Sequence, residues 1–261
     1  MVFRLTLSYL GAAYAGWQRQ KNAVAVQLVV EEALADLLAA PARVVGASRT
    51  DAGVHARAQE AHLELQRDFA LAGIVHGANH RLPADVRVLA AHRVPHGFHA
   101  RHEAESKEYR YRLLRTGVLS PFDAPFALRV EGEVDVDRMR RAAAHLIGRH
   151  DFTAFALAGG AHRDAARTIH AAEWLEHGPE LVFRVVGDGF LRGMVRGLVG
   201  TLLDVGAGRK SPESLRALLR GRPRGDSGPT APAHALTLER VTYPERWQPL
   251  ESYPGGTPVV T

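Results

Sequence analysis

"MVFRLTLSYLGAAYAGW", residues 1–17, decides the fold because it admits two opposite interpretations. An early Arg4, an apolar middle and Ala13-Tyr14-Ala15 imitate a secretory signal with its cleavage site. The apolar side chains, however, fall at every second position: Phe3, Leu5, Leu7 and Tyr9. A period of two is typical of a half-buried strand, and the apolar segment of a signal peptide has no reason to alternate. The stretch therefore predicts the first strand of a folded domain.

The next residues continue this strand into a β-α-β-β-α-β order. The pattern predicts a helix over 24–40, a strand in "RVVGAS" (43–48), a strand over 58–66, a helix near 68–79 and a strand near 85–93. This order is that of a ferredoxin-like sheet with helices on one face.

A second cycle follows with a similar plan. It contains a strand over 107–115, a helix over 135–148, a hairpin over 167–187, a helix over 190–205, a short helix opened by Ser211-Pro212-Glu213, and a final strand over 234–243. We therefore predict an α+β fold of two ferredoxin-like halves with mainly antiparallel sheets. The expected domains are 1–104 and 105–245, followed by a loose tail over 246–261.

Composition narrows the possible partners. The net charge is +5 and the sequence contains 33 basic residues, of which only Lys21, Lys107 and Lys210 are lysines. Guanidinium groups match phosphate geometry and stack on bases, so the arginine bias fits a nucleic-acid partner, although a base-composition bias in the genome explains it equally well. There is no cysteine, which excludes disulfides and thiolate metal sites, and no apolar run of 18 residues, so we expect no membrane span.

Three kinds of site compete for the polar motifs. "HRVPHGFHARH" groups His92, His96, His99 and His102, but a segment with Pro95 and Gly97 favours solvated or phosphate-facing histidines over a metal site. The spacing Gly187-x-Gly189-x-x-x-Gly193 before a helix resembles a dinucleotide fingerprint, yet a second helix follows where a strand is required. The small residues Gly193, Gly197 and Gly200 instead predict close approach of this helix to a sheet. No G-x-S-x-G elbow points to a hydrolase.

The loop "GASRTDAGVHARAQ" (46–59) holds the remaining candidate, Asp51. It lies between two predicted strands, where a scaffold can present a side chain into a cleft, and Gly53 permits a backbone conformation that other residues avoid. Thr50-Asp51 is also what an ordinary structural turn contains. Arg49 and Arg57 would keep the carboxylate ionised and competent as a nucleophile or base, so both interpretations stay open.

The same loop closely resembles the signature of the tRNA pseudouridine synthase A family, through "RTDAGVHA" (49–56) and Gln59. The resemblance extends along nearly the whole chain in the family's order. It includes "GWQRQ" (16–20), "VQ" (26–27), Asn79 before Leu82-Pro83, "FHAR" (98–101), "YRY" (109–111), "DFTAF" (151–155), "FLRGMVRGLVG" (190–200), "APAHAL" (231–236) and "VTYP" (241–244).

The resemblance implies an activity and roles. Family members convert uridines at positions 38, 39 and 40 of the tRNA anticodon stem-loop to pseudouridine, in a basic cleft between two halves, without cofactor or metal. Asp51 aligns with the essential aspartate, Tyr109 with the tyrosine that stacks on the uracil, and Arg196 with the basic partner of the aspartate. Arg49 aligns with an arginine implicated in everting the nucleotide, and Leu236 would cover the uracil's apolar face. Further phosphate contacts are expected from Arg19, Lys21, Arg57, Arg101 and Arg167.

The chain departs from the family's usual pattern at a few positions. Ala58 and Ala235 stand where glycine is usual, and Arg192-Gly193 where aromatic or histidine residues are common. None of these removes a proposed catalytic group. The resemblance further implies a cytoplasmic homodimer. Two other hypotheses are a catalytically silent tRNA-binding module and a small-molecule enzyme that binds a dinucleotide at Gly187 and Gly189.

Overall fold

The computed structural model describes residues 1–157 and 164–255, and in it Val2–Tyr9 form strand β1, as the alternation predicts. The described chain divides into two compact units. Unit 1 consists of residues 1–105 and the segment from 238 onwards, and unit 2 consists of residues 106–237. Both combine strands and helices, so the fold is α+β with sheet dominant. Within the described residues no helix is both long and apolar enough to cross a bilayer.

Unit 1 contains an antiparallel sheet covered by two helices. Its elements are β1, α1 (Val26–Leu38), β2 (Val44–Gly46), β3 (His55–Glu64), α2 (Leu71–Arg81), β4 (Val86–Val94), most of β10 (Leu236–Thr242) and β11 (Glu251–Pro254). The strands lie in the order β11-β4-β1-β3-β10, and β2 pairs with β3. The pairs β1–β3, β1–β4, β4–β11 and β2–β3 are all antiparallel.

The period of the sequence explains these elements. In α1 the buried residues Val26, Val30 and Leu34 recur every fourth position, which places them on one helix face. In β1 the alternating Phe3, Leu5 and Leu7 are fully buried. These two apolar surfaces supply the core of unit 1.

Residues 244–255 contain regular structure, whereas the sequence predicts a loose tail over 246–261. Residues 245–247 form a single helical turn, and β11 pairs with the outer edge of β4 with Tyr253 opposite Ala91. Two hydrogen bonds hold the strand there, one between Tyr253 Oη and His76 Nε2 and one between Ser252 Oγ and His92 Nδ1, each 2.8 Å long. An edge strand of only four residues, Glu-Ser-Tyr-Pro, is too short to show a periodic signal, so the sequence does not predict it. The last six residues of the expected tail, 256–261, lie outside the described residues.

Strand β10 joins the sheet of unit 1, although the sequence-based boundary put residues 105–245 in the second domain. The backbone N–H of Glu105 donates to Thr242 O at 2.9 Å, and Tyr243 Oη donates to Ala100 O at 2.9 Å. The ring of Phe98 lies 4.9 Å from that of Tyr243 and 5.5 Å from that of Trp247. The chain therefore returns to its first unit after completing the second.

Unit 2 has a sheet in the order β5-β9-β8-β7. Its elements are β5 (Ser106–Leu114), β6 (Leu128–Arg129), α3 (Val136–Ala144), β7 (Gly148–Asp151), β8 (Ala166–His177), β9 (Glu180–Gly187), α4 (Met194–Gly206) and α5 (Ser214–Leu218). The predicted hairpin is β8–β9, turning at Gly178 with φ of 60°. Asp135 caps α3 by accepting the Arg138 N–H at 2.9 Å. The short helix α5 begins at Ser214 rather than at the predicted Ser211-Pro212-Glu213.

Helix α4 uses its glycines differently from the predicted approach to a sheet. At Gly200 the helix touches the carbonyl of Pro229 so closely that a Cβ would overlap it, and a Cβ at Gly197 would lie 3.1 Å from Phe155 O. Gly193 is the N-cap, with φ of 69°. The close partners are thus loop segments around 155 and 229. Exposed carbonyls of loops approach a helix more closely than the side chains of a sheet face allow.

Candidate active site

The Asp51 loop connects β2 to β3 in unit 1. Asp51 is half-buried, and its neighbours Thr50 and His55 are 5% and 3% exposed. Its carbonyl accepts the Val54 N–H at 3.1 Å and closes a tight turn. Gly53 within this turn has φ of 81°, which confirms the prediction that it adopts a left-handed conformation.

Thr50 fixes the loop on the side that precedes Asp51. Its Oγ1 lies 2.8 Å from Tyr9 Oη, and its carbonyl accepts the Trp17 N–H at 3.1 Å. Gly16 makes room for this approach, since a Cβ at that position would lie 2.6 Å from Thr50 O. The turn between β1 and α1 therefore supports the backbone on which Asp51 stands.

Gln59 and His55 fix the two ends of the loop. Gln59 is fully buried; its Oε1 accepts the Ser48 N–H at 3.1 Å, and its Nε2 donates to Ser48 O at 2.6 Å. His55 Nδ1 accepts the Gly11 N–H at 3.1 Å. Both side chains act here as structural supports, as does Thr50. Sequence reasoning gave no role to Tyr9, whose signal is a tyrosine at the buried end of an alternating strand, where its hydroxyl needs a partner.

Two of the predicted RNA-binding arginines lie near each other in unit 1. Partial burial, together with the neighbouring charge of Arg101, lowers the pKa of Arg49 from its usual value. Like charges held side by side repel one another, so their proximity favours binding of an anion between or above them. Exposed loops carry both side chains.

The other predicted contacts of unit 1 are exposed, and two have acidic neighbours. Arg19 lies 3.3 Å from Glu31, and Arg57 lies 3.5 Å from Glu239, measured between charged atoms; both arginine side chains are 59% exposed. Exposed pairs of this kind are weak, so either arginine can exchange its partner for a phosphate at little cost. Lys21 is exposed in the turn before α1.

The four histidines of the rejected metal motif do not form a ligand set. His92 Nδ1 lies 2.8 Å from Ser252 Oγ, whereas His99 and His102 face each other with ring centroids 4.1 Å apart. His62 joins them at 4.7 Å from His99. Across residues 1–157 and 164–255, no three His, Cys, Asp or Glu side chains are arranged to hold a metal ion. Burial lowers the pKa of His62 and of His92 to about 4, so both are neutral at pH 7.

Strand β5 carries the aromatic candidate Tyr109 and, two residues further on, Tyr111. Tyr109 is 5% exposed, pairs with Val185 of β9, and meets the edge of Phe190 at a centroid distance of 5.1 Å. Tyr111 is fully buried and donates from its Oη to Pro232 O at 2.9 Å. Burial raises the pKa of Tyr111 above its usual value, and the Arg196 charge opposes this shift.

Arg196 ties the start of α4 to the segment that ends in Leu236. Its Nε donates to Ala231 O at 2.7 Å, and its backbone carbonyl accepts the Ala231 N–H at 3.1 Å. Leu236 is buried at the start of β10. Residues 231–232 thus contact both Arg196 and Tyr111 in unit 2. Arg167 instead donates to neighbouring carbonyls of Asp164 and Ala166, at 3.1 and 2.6 Å.

The dinucleotide hypothesis finds no matching geometry in unit 2. Gly187 ends β9 and Gly193 caps α4, but along residues 194–218 the next element is α5. A dinucleotide unit needs a strand at that point, with an acid at its end for the ribose.

A family model described as tRNA pseudouridine synthase matches residues 142–244. Three relatives named tRNA pseudouridine synthase A match most of the chain. The protein from Syntrophotalea carbinolica is 44% identical over 93% of this chain and 96% of its own. Those from Geobacter sp. (strain M21) and Exiguobacterium sibiricum are 43% and 40% identical, again over 93% of this chain, and over 98% and 97% of their own.

Among solved structures, a chain from the crystal structure of a Cbf5-Nop10-Gar1 complex superposes with a TM-score of 0.33 and 16% identity, over 77% of this chain and 45% of its own. No conclusion rests on so low a score. The identities of 40–44% along nearly the full chain do carry one. This chain belongs to the tRNA pseudouridine synthase A family.

Proposed function

We propose that this protein isomerises uridine to pseudouridine at positions 38, 39 and 40 of the tRNA anticodon stem-loop, with Asp51 as the nucleophile. The relatives of the same name support the activity and the tRNA substrate. The observation that carries the role of Asp51 is its half-buried position on a loop held by Tyr9, Trp17 and Gln59. An ordinary solvent-facing turn has no need of such a support.

The reaction moves one bond and leaves the composition of the nucleoside unchanged. The N1–C1′ bond breaks, the uracil turns over, and C5 bonds to C1′; the proton leaves C5 and N1 gains one. Atoms and electrons balance without an external oxidant, reductant or water. In this proposal Asp51 makes the attack that begins detachment of the base. Tyr109 stacks on the uracil and helps to move the C5 proton, and Arg196 balances the negative charge of the Asp51 carboxylate.

The remaining contacts bring the uridine out of the stack and hold it. Extrusion costs a few kcal/mol, which stacking and polar contacts offset. Arg49 supports eversion of the nucleotide, and Leu236 covers the apolar face of the uracil. The phosphate contacts are assigned to Arg19, Lys21, Arg57, Arg101 and Arg167. Their removal should weaken tRNA binding at every sequence and reduce its salt dependence.

Tritium release tests the function directly, because label at uridine C5 enters water only when the C5–H bond breaks. Unmodified tRNA transcribed with C5-labelled uridine should release tritium with wild type, and the pseudouridines should map to the anticodon arm. Asp51→Asn should reduce the rate by about 1000-fold or more, since the neutral amide cannot act as nucleophile. Asp36→Asn is the matched control, because Asp36 is 72% exposed on α1 of the same unit.

Each outcome has a separate meaning. Release by wild type at background level contradicts the activity. Undiminished release by Asp51→Asn contradicts the role of Asp51 and favours another nucleophile. Product outside the anticodon arm contradicts the assigned positions.

The proposal also includes features of the whole enzyme. It requires two ferredoxin-like halves that present Asp51, Tyr109 and Arg196 to one uridine in a basic cleft. It also includes a homodimer that acts on tRNA in the cytoplasm. Light scattering at several protein concentrations should give twice the 28.4 kDa chain mass. A constant monomer mass contradicts the dimer but leaves the chemistry intact.

A further inference from the structure

The buried hydroxyls beneath the Asp51 loop have no part in the proposed chemical steps. Tyr9 Oη and Thr50 Oγ1 lie 2.8 Å apart, and the two residues are 2% and 5% exposed. Thr50 directly precedes Asp51, so the two share a peptide group. Because that group is planar, the direction of the Thr50 carbonyl sets the direction of the Asp51 amide.

We infer that Tyr9 and Thr50 are positioning residues that aim the Asp51 side chain, an inference that rests on the proposed role of Asp51. Tyr9 controls the side chain of Thr50, while the Trp17 N–H holds its carbonyl at 3.1 Å. Thr50 is therefore held at two atoms, and rotation of the peptide that leads into Asp51 would break one contact or the other.

Gln59 connects the hydroxyl pair to the start of the loop. Its Nε2 donates to Ser48 O at 2.6 Å and lies 3.5 Å from Tyr9 Oη. A phenol oxygen both donates and accepts, so Tyr9 can hydrogen-bond to Gln59 and to Thr50 at the same time. The resulting series of hydrogen bonds runs from Ser48 through Gln59 and Tyr9 to Thr50, and it spans the half of the loop that leads into Asp51.

This arrangement matters more for rate than for stability. A neutral buried hydrogen bond makes only a modest net contribution to the free energy of unfolding. Displacement of a reacting group by about 1 Å can slow a reaction about 100-fold. Removal of either hydroxyl should therefore reduce kcat by about 10- to 100-fold and leave the Kd for tRNA within about twofold, since neither hydroxyl is exposed to bind RNA.

Single-turnover tritium release with saturating enzyme tests this inference on four variants of the full chain. Tyr9→Phe and Thr50→Val should both be slow, whereas Thr50→Ser, which retains the hydroxyl, should keep a rate close to wild type. Tyr14→Phe is the matched control: Tyr14 is also buried, and its Oη donates to Asp85 at 2.8 Å rather than to Thr50. It should lose a hydrogen bond and some stability but no rate.

The double variant Tyr9→Phe/Thr50→Val shows whether the two hydroxyls act through their mutual hydrogen bond or independently of each other. If the hydroxyls act together, the double variant is no slower than the slower single variant. Wild-type rates in Tyr9→Phe and Thr50→Val, with only a lower Tm, would overturn the inference, as would slow release by Thr50→Ser or additive losses. If Tyr9→Phe does not fold, the Thr50→Val and Thr50→Ser comparison decides. A wild type without product overturns the proposed function instead.

Discussion

At the scale of single residues, Gly16 couples the turn after β1 to the Asp51 loop. It has φ of 91°, and a Cβ there would lie 2.6 Å from Thr50 O. Gly97 has a similar φ of 85°, but a Cβ added there would meet nothing within 4 Å. Its substitution therefore measures the cost of backbone strain alone. We expect Gly97→Ala to cost about 1 kcal/mol of unfolding free energy, and Gly16→Ala about 2–4 kcal/mol with a loss of rate. Urea denaturation and tritium release measure both. If both variants lose the same unfolding free energy and the same rate, then Thr50 can shift away from the added Cβ without harm, and the prediction is wrong.

The sequence points to the proposed reacting groups more readily than to the residues that support them. Asp51, Tyr109 and Arg196 are proposed because they stand in motifs, and Gly53 is noticed because its turn needs a positive φ. Tyr9 was not assigned to the loop because 41 residues separate it from Thr50 and no local pattern connects them. Burial of a hydroxyl and the identity of its partner depend on the tertiary fold, which a period of two or 3.6 does not encode.

At the scale of elements, the pairing of β1 with β3 encloses a titratable group. Glu60 of β3 lies opposite Thr6 of β1, whose Oγ1 donates to it at 2.8 Å. Burial raises the pKa of Glu60 to about 7, against the opposing effects of Arg4 and the Thr6 hydrogen bond. The folded state therefore binds this proton more tightly than the unfolded chain, whose glutamate has a pKa of 4.5.

Stability from Glu60 is therefore greatest below pH 4.5 and is lost as the pH rises to about 7. Over this range we expect wild type to lose about 1–3 kcal/mol of unfolding free energy relative to Glu60→Gln, which cannot titrate. Chemical denaturation of both proteins at several pH values gives this difference. The contributions of the other carboxylates to the pH dependence are the same in both proteins and cancel. A difference that does not change between pH 4.5 and 7 would contradict the raised pKa.

The elements differ in how far sequence predicts them. The helices α1 and α2 and the hairpin β8–β9 are confirmed because each is long enough for several repeats of its period. Strands β6 and β7 were missed because Leu128–Arg129 and Gly148–Asp151 contain two and four residues, too few to show alternation. Such short strands form because a neighbouring strand is already in place to pair with them. The position of that neighbour depends on the tertiary fold and is not visible in the local sequence.

At the scale of the whole molecule, unit 1 depends on two segments far apart in the chain. We expect a fragment of residues 1–105 to melt without cooperativity, because it lacks β10 and β11 and leaves Phe98 without Tyr243 and Trp247. The same fragment joined through a flexible linker to residues 238–261 should regain a cooperative transition. Circular dichroism during heating distinguishes the two. A cooperative melt of residues 1–105 alone would contradict the dependence.

The return of the chain to unit 1 has a consequence for synthesis. Domains generally fold as they leave the ribosome, the first before the second. Here the first unit waits for residues beyond 237, while the second is already complete when they appear. We therefore expect a nascent chain halted at residue 237 and displayed outside the tunnel to resist protease in unit 2 and to be cut in unit 1. The loop that carries Asp51 would then gain its full support only after the segment from residue 238 onwards has left the ribosome.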